Sequence, residues 1–232
     1  GESATLSEAE HIECIKKAVE FTKGRVPVVA GTGSNSTQTA IELSTAAVEA
    51  GVDGLLVVTP YYNKATQAGL IQHYKAIADA AKAPIIMYSV ASRTGVNIAP
   101  ETVASLVKNV DNIVGVKEAS TDVSKIAKIR SVCGNDFAVW SGNDDLAVPA
   151  IAIGASGLIS VISNIAPVET NAMVQAALDG DFDSAADLQC RLTPLIETLF
   201  CEVNPIPVKA AMRCIGYDCG QCHQSTVRHS WR

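Results

Sequence analysis

The feature that most limits what this chain can fold into is a repeated unit. A short run of Val, Ile and Leu leads into a turn rich in glycine and polar residues, and then into a stretch with helical spacing. Arg25–Ala30, Gly54–Thr59, Pro84–Val90, the run ending at Lys117, Phe137–Trp140 and Gly157–Val161 read as strands. That makes roughly six, spaced about twenty to thirty residues apart. Strands apolar on consecutive residues are buried on both faces, the habit of parallel sheets covered by helices. Between them, Ser7–Lys23, Thr37–Ala50, Gln67–Lys82, a segment after Pro100 and Val123–Val132 carry the helical period, and further helices follow the last strand. The pattern predicts an α/β chain. Polar and glycine residues follow nearly every strand, which favours strand ends sharing one mouth over the single crevice of a doubly wound sheet. A closed (β/α)8 TIM barrel needs eight strands, so the expectation is such a barrel lacking its first two.

Composition narrows the chemistry. The 232 residues are 48% hydrophobic with a formal net charge of −6. That balance offers no electrostatic footprint for nucleic acid or an anionic membrane. The apolar runs are too short to cross a bilayer, and Gly1-Glu2-Ser3 opens neither a basic nor an apolar leader, so the expected location is the cytoplasm. Seven cysteines, an odd number at scattered positions such as Cys14, Cys133, Cys190 and Cys201, read as reduced core or near-surface thiols. The glycine-rich loop Gly31-Thr32-Gly33-Ser34-Asn35-Ser36 lacks both the P-loop lysine and the order of a dinucleotide fingerprint. It reads as a turn with a helix cap.

Ile113-Val114-Gly115-Val116-Lys117-Glu118-Ala119-Ser120 carries an apolar strand straight into a lysine and a polar turn. In a barrel, the carboxyl end of a strand points into the active-site mouth. A lysine desolvated there loses its proton readily, and the neutral amine is a nucleophile toward carbonyls. The alternative is a lysine that only snorkels to water.

Gly1-Glu2-Ser3-Ala4-Thr5-Leu6, Ala30-Gly31-Thr32-Gly33, Pro60-Tyr61-Tyr62-Asn63, Tyr88 to Gly95, Gly115-Val116-Lys117-Glu118-Ala119 and Asn204-Pro205-Ile206-Pro207-Val208-Lys209 together resemble the dihydrodipicolinate synthase family. These are pyruvate-dependent class I aldolases on a (β/α)8 barrel. The resemblance implies condensation of pyruvate with aspartate semialdehyde in lysine biosynthesis through a Schiff base, with Lys117 as the nucleophile. It assigns a proton relay to Tyr88 and to Tyr62, the latter reaching in from a neighbouring subunit of a tight dimer. Arg93 is implied as the clamp for the aldehyde's carboxylate, and Gly142 and Ile159 as backbone contributors to the pocket. No metal or organic cofactor is implied, and the expected partners are the two substrates and further copies of the chain, as a dimer or dimer of dimers.

Departures from the family pattern shape further expectations. Two threonines that the family carries before Gly1 are not in this sequence, and Ser89 and Ala91 stand where Asn and Pro are usual. In lysine-inhibited members the effector lies among residues matching Ala4, Glu8, His11, Asn35, Thr39 and Tyr61. Here Glu8 replaces the usual histidine and Thr39 the carboxylate, so weak or absent lysine inhibition is expected. The resemblance is read as ending near Cys222, which implies C-terminal helices cut short. The expected organisation is therefore a partial barrel over 1–166, a helical segment over 167–218 and a divergent, disordered tail over 219–232. Within that tail Cys219-Gly220-Gln221-Cys222-His223, with His229, is formally a haem or zinc pattern, read here as incidental. Related activities, namely an N-acetylneuraminate lyase-like or keto-sugar-acid aldolase, and a catalytically inactive fragment are the alternatives.

Overall fold

The computed structural model describes residues 2–222, and the chain divides into two compact units, Ser7–Trp140 and Gly1–Leu6 with Ser141–Arg232. The division falls at Ser141. In the first unit the order is α1 (Glu8–Thr22), β1 (Val29–Gly31), α2 (Thr37–Glu49), β2 (Gly54–Val58), α3 (Gln67–Ala81), β3 (Ile85–Ser89), α4 (Ala91–Thr94), α5 (Pro100–Asn109), β4 (Ile113–Glu118) and α6 (Ser124–Cys133). β5 (Ala138–Ser141) ends it, and β6 (Gly157–Leu158) completes a six-stranded sheet in the order β1-β2-β3-β4-β5-β6. Strict sequence order leaves no switch point, which is the arrangement of a βα barrel and not of a doubly wound sheet.

Local chemistry sets the helix ends. Ser7 opens α1 with a capping box, its hydroxyl accepting from the Glu10 N–H while Glu10 Oε2 accepts from the Ser7 N–H. Ser36 and Thr66 cap α2 and α3 through a single bond each, their hydroxyls accepting from the Thr39 and Gly69 N–H groups. Pro100 stands in the first turn of α5, where its missing N–H costs nothing. Leu55, Val57, Ile85, Met87 and Val116 from the strands, and Leu70, Tyr74 and Ile77 from α3, are fully buried. Each such side chain contributes about 1.5–3 kcal/mol of burial. The hydroxyl of Tyr74 donates to Val57 O at 3.0 Å, so its polar end is satisfied inside this layer.

Three expectations are corrected. The buried strand over Arg25–Ala30 is only Val29–Gly31, with Val26 63% and Val29 46% exposed. As the edge of the sheet, β1 has a ladder on one side alone. The strand over Gly157–Val161 stops at Leu158, because the N–H groups of Val161 and Ile162 turn to the carboxylate of Asp144. Ala91–Gly95, read as loop, forms the single turn α4, closed by Gly95 at φ 72°. The cysteines, read as reduced core or near-surface thiols, are free and near the surface: Cys14, Cys190, Cys201 and Cys214 are exposed and the other three half-buried.

In the second unit α7 (Ala147–Ala152), which the sequence reading left unassigned, precedes β6, and α8 (Pro167–Leu178), α9 (Phe182–Leu199) and α10 (Ile206–Cys214) follow it. Buried Asp144 organises this unit: its backbone carbonyl also accepts from Gln189 Nε2 on α9 at 3.0 Å. Lys209 Nζ pairs with Glu2 at 3.2 Å and donates to Gln221 O at 2.7 Å. Among the described residues, no helix is long and apolar enough to cross a membrane.

Candidate active site

β3 and β4 run parallel with Tyr88 opposite Lys117 and Ser89 opposite Glu118. Side chains alternate along a strand, so the first pair shares one face of the sheet and the second pair the other. On the first face Lys117 Nζ lies 4.4 Å from the centroid of the Tyr88 ring, within cation–π range. Burial pushes the Tyr88 phenol above its ordinary range; the Arg93 guanidinium partly offsets this, and the Glu118 carboxylate adds to it. The phenol therefore keeps its proton at neutral pH, with its ring face against the amine.

Gly115, two residues before Lys117, is required by space. A Cβ there would lie 2.4 Å from the Trp140 ring and 2.8 Å from Ala138 O. Trp140 thus presses directly onto the β4 backbone on the Lys117 face.

Arg93 is an exposed residue of α4. Its turn is held by Thr94, whose hydroxyl lies 3.1 Å from both Val90 O and Val96 O. Tyr62 N–H donates to Thr94 O at 3.3 Å, joining the loop after β2 to the Arg93 turn. Tyr62 holds φ at 73°, a left-handed conformation unfavourable for a bulky residue, and its side chain is 89% exposed. The structure thus brings Tyr88 and Lys117 together and leaves Tyr62 facing outward. Gly142 and Ile159 belong to the second unit, where both are half-buried and Ile159 N–H donates to Ser141 O at 2.9 Å.

The residues singled out for an effector are dispersed in character. His11 is buried, with Nε2 2.7 Å from Gly31 O, a bond that fixes Nε2 as the donor. Asn35 accepts from Asn63 Nδ2 at 2.8 Å through its carbonyl, Tyr61 is half-buried, and Ala4 is exposed in the other unit. Glu8 and Thr39 both lie in first helical turns. His223 and His229 lie outside the described residues; among those that are described, no three His, Cys, Asp or Glu side chains are gathered to hold a metal.

The sequence reading missed what stands behind the Tyr88–Lys117 pair. On the opposite face Glu118, 2% exposed, forms an ion pair at 2.7 Å with Lys125 of α6, itself 12% exposed. The contact is close but not aligned as a hydrogen bond at Glu118 Oε2. Glu118 Oε1 accepts from Ser120 N–H at 2.9 Å, while Lys125 Nζ also reaches Ser89 Oγ and Asn97 Oδ1, each at 3.1 Å. Six residues that include a turn separate Glu118 from Lys125, so no local spacing announced the contact.

Comparison with known proteins decides the family. The Dihydrodipicolinate synthetase family model matches residues 1–229. The chain belongs to this family. The match runs past Cys222, where the sequence reading ended its resemblance. The chain is 53% identical to 4-hydroxy-tetrahydrodipicolinate synthase of Lachnoclostridium phytofermentans over 220 residues, covering 95% of this chain and 75% of that protein. The corresponding enzyme of a Thermoanaerobacter species is 50% identical over 230 residues, covering 99% and 77%. Among solved structures, dihydrodipicolinate synthase from Aquifex aeolicus superposes with a TM-score of 0.96 at 42% identity, over 98% of this chain and 78% of that one. The α/β, TIM-barrel-like fold is therefore that of the dihydrodipicolinate synthetase family.

Proposed function

We propose that this member of the dihydrodipicolinate synthetase family condenses pyruvate with aspartate semialdehyde to 4-hydroxy-tetrahydrodipicolinate, in lysine (diaminopimelate) biosynthesis, with Lys117 as the Schiff-base nucleophile. The observation that carries the residue assignment is the Lys117 amine 4.4 Å from the ring of a phenol that burial keeps protonated. The neutral amine adds to the ketone carbon of pyruvate, and the carbinolamine loses its hydroxyl as water when a proton is supplied. Tyr88 supplies that proton. Loss of a proton from the former methyl group gives an enamine, whose carbon attacks the aldehyde. The product's own amino group then displaces Lys117 from the imine carbon and closes the ring.

Arg93 holds the carboxylate of the aldehyde substrate through its planar fork. Its turn is tied by Thr94 to the backbone of Tyr62, and the outward Tyr62 ring is free to enter a neighbouring subunit and extend the relay from Tyr88. The enzyme works in the cytosol as a homo-oligomer, a tight dimer assembled as a dimer of dimers. Steady-state assays with pyruvate and either aspartate semialdehyde or N-acetylmannosamine test the substrate assignment. Turnover with the first and none with the second is the expected result; the reverse would make the chain a sugar-acid aldolase.

A further inference from the structure

The polar cluster behind the Tyr88–Lys117 pair, built on buried Glu118 and Ser89, has no part in the chemistry above, yet both of these residues directly follow the pair's members in the chain. Glu118 follows Lys117 and Ser89 follows Tyr88 in the chain, and the two are register partners across β3 and β4. Lys125 is the hub: its ammonium touches Glu118 Oε2, Ser89 Oγ and Asn97 Oδ1 at 2.7, 3.1 and 3.1 Å. Ser89 extends the tie, with its carbonyl accepting from Ala119 N–H at 3.0 Å and its hydroxyl receiving Ile98 N–H at 3.5 Å. The segment between Ser89 and Asn97 carries Arg93. A single cation therefore clamps the ends of both strands and closes the base of the Arg93 turn.

The clamp also sets a charge. A buried carboxylate next in chain to Lys117 favours the protonated amine unless a cation compensates it. The other charged or titratable groups around the cluster are few. Arg93 and Glu118 act on Tyr88, Lys125 acts on Asp122, and Asp122 lies 4.0 Å from Lys128 on α6. On α3 the Tyr74 hydroxyl is engaged with Val57 O. Lys125 is the cation seated on Glu118.

We propose that Lys125 is a positioning residue for the Schiff-base chemistry: by pairing with Glu118 and holding Ser89 and Asn97, it keeps Lys117 deprotonatable and fixed against Tyr88. The inference rests on the reading of Lys117 as the nucleophile. It is tested on the full chain by the rate of borohydride-trapped pyruvate adduct at Lys117 as a function of pH, in wild type, K125R, K125M, E118Q and K125M/E118Q. The expected result is an adduct in wild type with a low-pH limb set by the Lys117 amine. K125R keeps the limb in place. K125M moves it up by about one pH unit, slowing trapping about ten-fold below it, the scale of one uncompensated charge near the amine. E118Q moves it down, and K125M/E118Q returns it toward wild type. Should K125M fail to fold, E118Q and the double variant carry the same test. An adduct in wild type with superimposable profiles in all soluble variants overturns the role of Lys125 alone. No adduct in wild type overturns the reading of Lys117 and this inference with it.

Discussion

Tyr88 and His73 show burial setting the state of a single titratable group in opposite senses. For Tyr88, desolvation penalises the phenolate and preserves a donor beside Lys117. Replacing it with phenylalanine keeps the ring against the amine and removes the transferable proton. Y88F is therefore expected to lower kcat by about 10²–10³-fold, with a slow pyruvate adduct still forming at Lys117; steady-state kinetics and trapping on one preparation check this. His73 on α3 is buried with Nδ1 2.9 Å from Thr37 Oγ1, and its Nε2 has no hydrogen-bond partner among the described residues. Desolvation lowers its pKa from 6.5 to about 4. The unfolded chain takes up this proton first as pH falls, so the folded state loses stability between pH 6.5 and 4, by about 3 kcal/mol in all. Urea midpoints at pH 7 and pH 4.5 measure the loss, and H73L is expected to show a smaller drop over that interval than wild type.

At the scale of elements, the sheet is held by close approaches that only glycine permits. A Cβ at Gly33 would sit 2.4 Å from Val58 N, and one at Gly115 2.4 Å from the Trp140 ring, with backbone atoms at 2.8 Å in both cases. Backbone cannot yield as the end of a flexible side chain can. G115A is expected to destabilise by about 1–3 kcal/mol, read as a lower urea midpoint with unchanged slope, and to weaken pyruvate trapping because β4 carries Lys117. Most of this layer was legible in advance. The strand runs ending at Thr59, Val90 and Lys117 and the helices after Thr37 and Gln67 fall within a residue or two of the observed elements, since continuous Val, Ile and Leu and the 3.6-residue period report burial directly. The ends of β1 and β6 were not legible. Their lengths depend on a missing ladder at an edge and on the Asp144 carboxylate, which are tertiary facts. The same holds at the site: Lys117, Tyr88 and Arg93 stand in recognisable motifs, whereas the Glu118–Lys125 pair exists only once α6 packs behind β4.

For the molecule as a whole, the family likeness spans about three quarters of each relative's length, and it carries both the catalytic reading and a regulatory one. We propose, on the family resemblance, that Glu8 and Thr39 stand where lysine-inhibited members have histidine and a carboxylate; with His11 already engaged to Gly31 O, a cationic effector amine then finds no built-in carboxylate at the Thr39 position. Turnover is expected to change less than two-fold at millimolar lysine, a scale set by the loss of a charge-assisted contact; several-fold inhibition in a steady-state titration would refute this. Whether Lys117 forms the Schiff base is measured most directly by borohydride reduction in the presence of pyruvate followed by peptide mass spectrometry. A carboxyethyl modification is expected on Lys117 and on no other lysine. An unmodified Lys117, or an adduct placed instead on a residue such as Lys209 or Lys125, would contradict this expectation.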